Sequence, residues 1–467
     1  MLNKYDVCIV GAGPGGIFTA LELIERNPKL KIVMLDKGKP LSERDHKKRE
    51  DLTCGFAGAG AYSDGKIIYS LDKSYGGNLQ DYIFDLNYFQ KLMDMVDETY
   101  MRFSDDKNIP IFGDDLDKIN PIKVRAARNG MALLLGRVRH CGTDQNEVIM
   151  KNIYDFLKDK IEIAFETEVN GFSKQDDGSF GINYRNVDGD KGYIMSQYLV
   201  LMPGRSGNRF FEKMAKEHGL TTINSTIDVG VRVEFPNWVG KELDEVLYEP
   251  KLLIRTPKTE LKTRTFCYNP NGFVVQESIK DENGKEIVTV NGHSNSGQGE
   301  QSQNTNFALL VSATFTEPFH EPSLYGQSVA KMCNMLADGG VMVQRLRDLK
   351  NNKRSTKGRI MEMNLQPTLK EASPGDLRFA LPSKQIDAIL ESIEILDKIM
   401  PGLNGDDTLL YAPEIKFYSV RGKLTNKLET EIENLYAGGD GAGVSRGIAQ
   451  SSASGIVVAN AIIEKIG

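Results

Sequence analysis

The clearest hydrophobic pattern lies at the two ends of the chain. Residues 6–23, DVCIVGAGPGGIFTALEL, open with a short apolar run of strand type, pass through glycines, and end with apolar residues at helical spacing. A second strand is predicted over residues 31–35 and ends in Asp36. Residues 198–207, YLVLMPGRSG, read as a buried strand entering a glycine turn. Residues 434–461, NLYAGGDGAGVSRGIAQSSASGIVVANA, read as strand, glycine turn and long apolar helix. Between these segments the pattern changes. Residues 76–124 contain DYIFDLNYFQKLMDMVDETYMRF at helical periodicity, and residues 151–187 predict a helix followed by strands broken at Asp177-Gly178, a hairpin signal. From 216 to 409 strands dominate at first (228–235, 265–268, 272–276, 308–315), and helical stretches come after them.

This order predicts an α/β fold. A Rossmann-like nucleotide-binding domain is assembled from residues 1–75, 125–215 and 410–467, with a helical insertion over 76–124 and an inserted α+β substrate domain over 216–409. A chain of 467 residues is long enough for two or three domains. The one biased segment, the polar loop over 294–306 (SNSGQGEQSQNTN), is expected to be solvated, with a mobile lid as the functional alternative.

The first motif carries specific chemistry. Gly11-x-Gly13-x-x-Gly16 lies between strand and helix. Glycine permits the tight turn at Gly11, the approach of a pyrophosphate at Gly13, and close strand-to-helix packing at Gly16. The helix that begins around Pro14 and Gly15 aims its free N–H groups at phosphates. Asp36 stands about 20 residues beyond the last glycine, where an acidic side chain accepts hydrogen bonds from a ribose. This fingerprint fits NAD and FAD alike. The glycine-rich loop CGFAGAGAYSDGK over 54–66, the turn after residue 201 and the carboxyl-terminal strand-turn-helix favour FAD, because together they offer a second site for a long cofactor.

At these residues the chain resembles the two-dinucleotide-binding-domain flavoproteins of the glutathione reductase superfamily. More narrowly, it resembles a bacterial and archaeal family usually called uncharacterised FAD-dependent dehydrogenases. The segments that carry the resemblance are CGFAGAGAYSDGK, RHCGTD (139–144), DVGVRVE (228–234), TFCYNPNG (265–272), APEIKFYSVRG (412–422) and LYAGGDGAGVSRGI (435–448). The resemblance implies that Asp36, with Lys37 next to it, holds the adenosine ribose, that Val169 meets the adenine through its backbone, and that Gly204 lies in the turn after a strand of the same sheet. It implies that Gly58, Ala59, Asp64, Gly65 and Lys66 line the cofactor, with Tyr62 and Ser63 on the same loop. Gly439 and Asp440 then hold the ribityl or pyrophosphate portion. The helix from Gly447, Ile448 and Ala449 aims its amino end at the flavin pyrimidine ring, where reduced flavin carries negative charge. Two departures stand out. No second strand-GxGxxG-helix unit occurs in mid-chain, and no cysteine pair has redox-active spacing, so a nicotinamide domain and disulfide reduction are both absent from this reading. NAD(P)H would then act only as a transient donor.

Composition narrows the picture further. Five scattered cysteines give neither a disulfide framework nor a zinc spacing, so no metal is expected. No run of about 18 apolar residues occurs, which predicts a cytosolic chain that does not cross a membrane. Among candidate catalytic groups, Arg139 and His140 suit a role near the flavin or an anionic substrate, and His293 suits a proton donor. Asp144 and Glu147 have the spacing of a helix cap and an acidic first turn. Cys54 reads as an inert thiol. Net charge is −6, yet residues 251–264 and 345–359 are rich in Lys and Arg, a place for an anionic substrate or nucleic acid if the stretches share a face. Three functions fit these features. The leading one is an FAD-dependent oxidoreductase passing hydride between a small-molecule substrate and flavin N5. The alternatives are flavin-dependent modification of a nucleic-acid base, and a non-enzymatic FAD-binding sensor or electron carrier.

Overall fold

The computed structural model describes the chain apart from residues 1, 46–47, 49–50, 52, 62–64, 73–74, 76, 224–226, 248, 281–283, 295–299, 317, 320 and 417–419, and the side chains of 143–144 and 280. It divides into two compact units, the first formed by residues 1–111, 136–223 and 419–467, the second by 112–135 and 224–418.

The first unit is a Rossmann-like α/β fold. Strand Lys4–Val10 lies parallel to Ile32–Leu35 on one side, with Val7 opposite Ile32, and to Lys191–Leu201 on the other, with Val10 opposite Leu201. Glu162–Ala164 extends the parallel sheet beyond Ile32–Leu35, and Leu435–Ala437 extends it beyond Lys191–Leu201. Strands Ile32–Leu35 and Leu435–Ala437 are buried on both faces, which explains why they read as unbroken apolar runs. An antiparallel meander, Thr167–Lys174 with Phe180–Asn186 and the start of Lys191–Leu201, completes the sheet. The turn expected at Asp177-Gly178 joins its first two strands, with Gly178 at φ +80°.

Helices Pro14–Arg26 and Ile448–Ile466 pack against each other. They cross closely because Gly455 leaves room: a Cβ there would overlap Gly15 O and lie 2.8 Å from Thr19 N. Helix Leu86–Phe103 packs on Ile448–Ile466 and on helix Gly142–Leu157. The segment expected as one insertion over 76–124 is therefore divided. Its first helix belongs to the core of this unit, whereas helix Leu116–Arg128 lies in the other.

The second unit is built on an eight-stranded sheet in the order 373–374, 342–345, 409–416, 227–236, 304–313, 262–269, 251–255, 131–134. Alternation along Ile227–Pro236 turns Val229, Val231, Val233 and Phe235 into an apolar core shared with helix Ser383–Leu396. Hairpin 273–280 and 286–293 is a separate two-stranded sheet. The polar loop departs from expectation at its end. Its last residues, Asn304, Thr305 and Asn306, are buried at the start of strand Asn304–Ala313, because their backbone pairs with residues 234–236 of strand Ile227–Pro236. Residues 295–299 of that loop lie outside the described residues.

Candidate functional site

Gly11 and Gly16 stand where the motif puts a tight turn and close strand-to-helix packing. Gly11 has φ +109°, a conformation other residues rarely adopt, and its N–H donates to Leu35 O at 2.8 Å. A Cβ at Gly16 would overlap the carbonyl of Gly11, so this glycine sets how closely helix and strand pack. Gly13 differs from both. It caps helix Pro14–Arg26 in an ordinary extended conformation, φ −78°, and a Cβ placed on it would meet nothing within 4 Å. The helix has no side-chain cap, and the N–H groups of its first turn have no partner within the helix.

Asp36 ends the second strand, as expected, but its carboxylate works on the protein itself. Oδ2 accepts from Ala12 N, and Oδ1 accepts from Gly38 N and Gly55 N, each at 2.8 Å. One side chain thus binds the pyrophosphate-type turn to two later loops. Lys37 is exposed, and Val169 is buried in strand Thr167–Lys174 opposite Tyr184. Thr167 N donates to Asp36 O, which sets that strand beside the acid.

The loop after Cys54 folds back onto these turns. Ala57, held at φ +64°, donates its N–H to Ala12 O at 2.8 Å. A Cβ on Gly58 would lie 3.4 Å from Gly13 Cα, and one on Gly60 would lie 3.4 Å from Pro14 Cγ and 3.9 Å from Ile448 Cγ1. Residues 58–60, with Ala59 between the two glycines, therefore lie between the amino ends of the two long helices. Gly65, at φ +64°, is closed in by Cys141 and Asn146, and Lys66 pairs with His140 across strands Lys66–Tyr69 and Arg137–His140. Tyr62, Ser63 and Asp64 lie outside the described residues.

Two residues missed in the sequence shape this loop. Arg44 is buried, and its guanidinium donates to the carbonyls of Asp51, Phe56 and Gly58. Asn146, fully buried on helix Gly142–Leu157, donates to Gly60 O at 2.6 Å and Ala61 O at 3.0 Å. Arg44 sits in SERDHKKRE, which looks like solvated surface, and no local signal marks either residue.

The carboxyl-terminal turn meets the turn after Leu201. Gly438 N donates to Leu201 O at 3.0 Å and Gly441 N to Pro203 O at 2.8 Å. Gly439, at φ +71°, donates to Ser454 Oγ. Gly204 and Gly447 leave open space at their Cβ positions, as Gly13 does. Asp440 Oδ1 accepts from Ser445 Oγ at 2.6 Å, and Oδ2 lies 3.4 Å from Arg205 Nε, an exposed guanidinium. Gly447 caps helix Ile448–Ile466 without a side-chain partner, and Ala449 lies buried in its first turn. Among the described residues, then, Gly13 and Pro14 from one chain end and Ile448 from the other lie against residues 58–60.

The remaining candidates are dispersed. Arg139 is buried and forms a two-pronged pair with Asp97, Nε to Oδ1 at 2.6 Å and Nη2 to Oδ2 at 2.8 Å, while Nη1 donates to Ile109 O. Burial pushes the Asp97 carboxyl up, but bonds from Arg139 and Tyr69 outweigh it and hold the group below its usual range. Burial beside Asp97 in turn pushes the Tyr69 hydroxyl well up. This arrangement ties helix Leu86–Phe103 to the strand of Arg139. His293 ends strand Glu286–His293 in the second unit and is exposed. Helix Gly142–Leu157 is capped by Cys141, so Asp144 is its third residue rather than its cap, a correction to the capping expected there; its side chain lies outside the described residues. Cys54 Sγ lies 3.3 Å from Ser206 Oγ. The two basic stretches are set apart: strands Met342–Arg345 and Lys262–Asn269 are four steps apart in the sheet, roughly 19 Å at ordinary strand spacing. Arg345 and Arg359 also fold inward onto the buried Asp348. Among the described residues no helix is long and apolar enough to cross a membrane, and no cluster of His, Cys, Asp and Glu is placed to hold a metal.

Comparison with known proteins adds the cofactor. Residues 226–416 match the family described as FAD-dependent protein, C-terminal domain-like. An uncharacterized protein of Clostridium beijerinckii is 24% identical over 493 residues, spanning 98% of this chain and 80% of its own. Among solved structures, formate oxidase aligns over 99% of this chain and 98% of its own at 10% identity and a TM-score of 0.46. The p-nitrophenol 4-monooxygenase PnpA of Pseudomonas putida aligns over 100% and 81% at 12% identity and a TM-score of 0.37. At TM-scores below 0.5 these two likenesses carry no argument about function. With the family match and the pyrophosphate-type loop both present, the chain is an FAD-dependent flavoprotein.

Proposed function

We propose that the chain is an FAD-dependent oxidoreductase of the glutathione-reductase-like group that acts on a small molecule as a dehydrogenase or reductase. One observation carries the reading. The Cβ positions of Gly13, Gly204 and Gly447 open onto free space, whereas Gly11, Gly16 and Gly441 are closed in by backbone. The open set forms a cradle that side chains would fill, and the closed set holds it in shape.

The residues of the cradle fit the parts of FAD. The uncapped first turn of helix Pro14–Arg26, where Gly15 and Gly16 carry N–H groups, suits a pyrophosphate. A carboxylate has about four acceptor sites, and Asp36 uses three on backbone, which leaves one toward a ribose hydroxyl. Val169 offers its backbone beside Asp36 for the adenine. Asp440, with Ser445 and Arg205 as neighbours, can accept from ribityl hydroxyls. The amino end of helix Ile448–Ile466 favours negative charge on a ring placed there. Bound FAD supplies a two-electron centre that accepts or returns hydride. Arg139 then acts as a brace through Asp97, and NADH or NADPH serves as a transient donor, in keeping with a sequence that carries one GxGxxG unit.

The test is direct. The purified protein should be yellow and release FAD, not FMN, on denaturation, and anaerobic NADH or NADPH should bleach it slowly and with weak saturation. Recovery of NAD alone would sink the assignment, and rapid, tightly saturating reduction by NADPH would sink the transient-donor reading.

A further inference from the structure

Asn78 spends its side chain away from its own turn. It stands at the cap position of the short helix Leu79–Asp81, where asparagine ordinarily accepts from the N–H groups that follow it, yet it makes no such bond. Its Nδ2 donates instead to Gly443 O at 2.9 Å, 365 residues further on, and its N–H donates to Val444 O at 3.1 Å. Both acceptors belong to the glycine turn between Asp440 and Gly447. Gly77 pairs with Ser445 as an antiparallel bridge. The approach is close: a Cβ at Gly77, which has φ +139°, would overlap Gln450 Oε1 and lie 2.9 Å from Arg446 N. Gln450, buried in the first turn of helix Ile448–Ile466, accepts from Leu79 N at 3.4 Å.

A second support meets the same turn. A Cβ on Gly443, at φ +70°, would lie 2.8 Å from Val420 O and from Arg421 Cγ, and Gly422 N donates to Ala442 O at 3.4 Å. Asp81 and Tyr82 join the two supports. Asp81 Oδ2 lies 2.7 Å from Arg421 Nη2, the Arg421 guanidinium stands 5.6 Å from the centre of the Tyr82 ring, and Tyr82 OH donates to Gly422 O at 2.7 Å. Ser445 carries the contact inward, since its Oγ donates to Asp440 Oδ1 at 2.6 Å. One run of contacts thus leads from 77–78 through Ser445 to Asp440, and another from Leu79 through Gln450 to the amino end of the terminal helix.

We infer that residues 77–82 form a clasp that holds the flavin-binding turn in register, with Asn78 and Tyr82 as positioning residues for FAD that act through the turn. The inference rests on the proposed reading in which Asp440 and the amino end of helix Ile448–Ile466 hold the cofactor. The field of a helix end falls off within its first turn, so a small retreat of residues 447–450 costs much of the attraction for negative charge. A turn that is already ordered also spares the ligand the cost of ordering it. Loosening the clasp therefore weakens FAD in both redox states and weakens the negatively charged reduced form more.

FAD titration of the full-length apoprotein, followed by flavin fluorescence, tests the clasp. Asn78→Ala should raise the FAD Kd about three- to tenfold, the effect of one neutral hydrogen bond. Its flavin midpoint potential should fall by up to about 30 mV, the equivalent of a tenfold greater loss for the reduced than for the oxidised form in a two-electron couple. Asn152→Ala removes the same kind of bond from the same unit, Nδ2 to Phe103 O at 2.9 Å, and should leave both readings unchanged. Tyr82→Phe keeps the ring and deletes only the hydroxyl; it should raise Kd about threefold, and it decides the matter where Asn78→Ala does not fold. A parent-like Kd in the folded variant, or an equal rise in Asn152→Ala, would overturn the inference by showing no link to the turn or a general loosening. Asp440→Ala in the same titration separates the clasp from the cradle. Unchanged FAD binding there would sink the cradle, whereas weakened binding there with parent-like Asn78→Ala and Tyr82→Phe proteins would sink the clasp alone.

Discussion

Gly13 and Gly16 stand three residues apart in one motif and use opposite properties of glycine. Gly16 is closed in by the carbonyl of Gly11, whereas Gly13 has an unstrained backbone and open space where a side chain would go. Gly13→Val should therefore cost the apoprotein no more than about 1 kcal/mol, the loss of a tolerable helix cap, yet yield colourless protein because the pyrophosphate cannot approach. Gly16→Ala should lower stability instead. Overpacking costs about 1–3 kcal/mol, and the roughly 1 kcal/mol that alanine gains in a helix offsets only part of it. Denaturant melts of both apoproteins with FAD titration separate the two; retained FAD affinity in Gly13→Val would contradict the cradle. These glycines were legible because the fingerprint is local. Arg44 was not, since its partners are backbone carbonyls 7 to 14 residues further on and nothing in its neighbours' types announces them. Arg139 reads as a free functional cation until Asp97, 42 residues earlier, is seen to hold it.

Strands and helices at the chain ends were legible to within a few residues, because burial on both faces leaves unbroken apolar runs and glycines punctuate them. Capping was less so: Asp144 has the residue type of a cap, but the helix begins before it, at Gly142 behind Cys141. Helix Asn237–Asp244 offers a test at this scale. Burial raises the Asp244 carboxyl to about 6, against the pull of Tyr268, and a negative charge at a helix carboxyl end also opposes the macrodipole. A raised folded pKa means the folded state holds the proton more tightly, so this contribution is full below about pH 4 and is lost as pH rises through about 6. Discounted for the partial exposure of the side chain, the loss is on the order of 1–2 kcal/mol. Asp244→Asn should be more stable than the parent by that amount near pH 8 and equal to it near pH 4, measured by urea unfolding at each pH. A difference that stays constant across the range would show that the carboxyl is not perturbed.

At the scale of the whole molecule, both chain ends enter one sheet, with strand Leu435–Ala437 beside Leu199–Leu201 and the terminal helix crossing the first. The sequence shows this through two separate glycine turns, each needing a strand before it and a helix after it. It does not show that residues 112–135 belong with the second unit, because strand Met131–Leu134 is four residues long and its partner, Lys251–Arg255, lies over a hundred residues away. All the residues assigned to FAD lie in the first unit, and the chain's one tryptophan, Trp238, lies in the second. Ligand that binds only folded protein stabilises it by about 2.7 kcal/mol at a hundredfold excess over Kd. For a unit of this size each kcal/mol shifts the midpoint by about 2–4 °C, so saturating FAD should raise the first unit's midpoint by roughly 5–10 °C. Melting followed by far-ultraviolet circular dichroism reports both units, and Trp238 emission reports the second. FAD should move the dichroism transition upward by that amount and the Trp238 transition by less. Equal shifts would mean that both cores unfold in one cooperative step, and no shift in either would mean that the cradle formed by the two chain ends does not hold FAD.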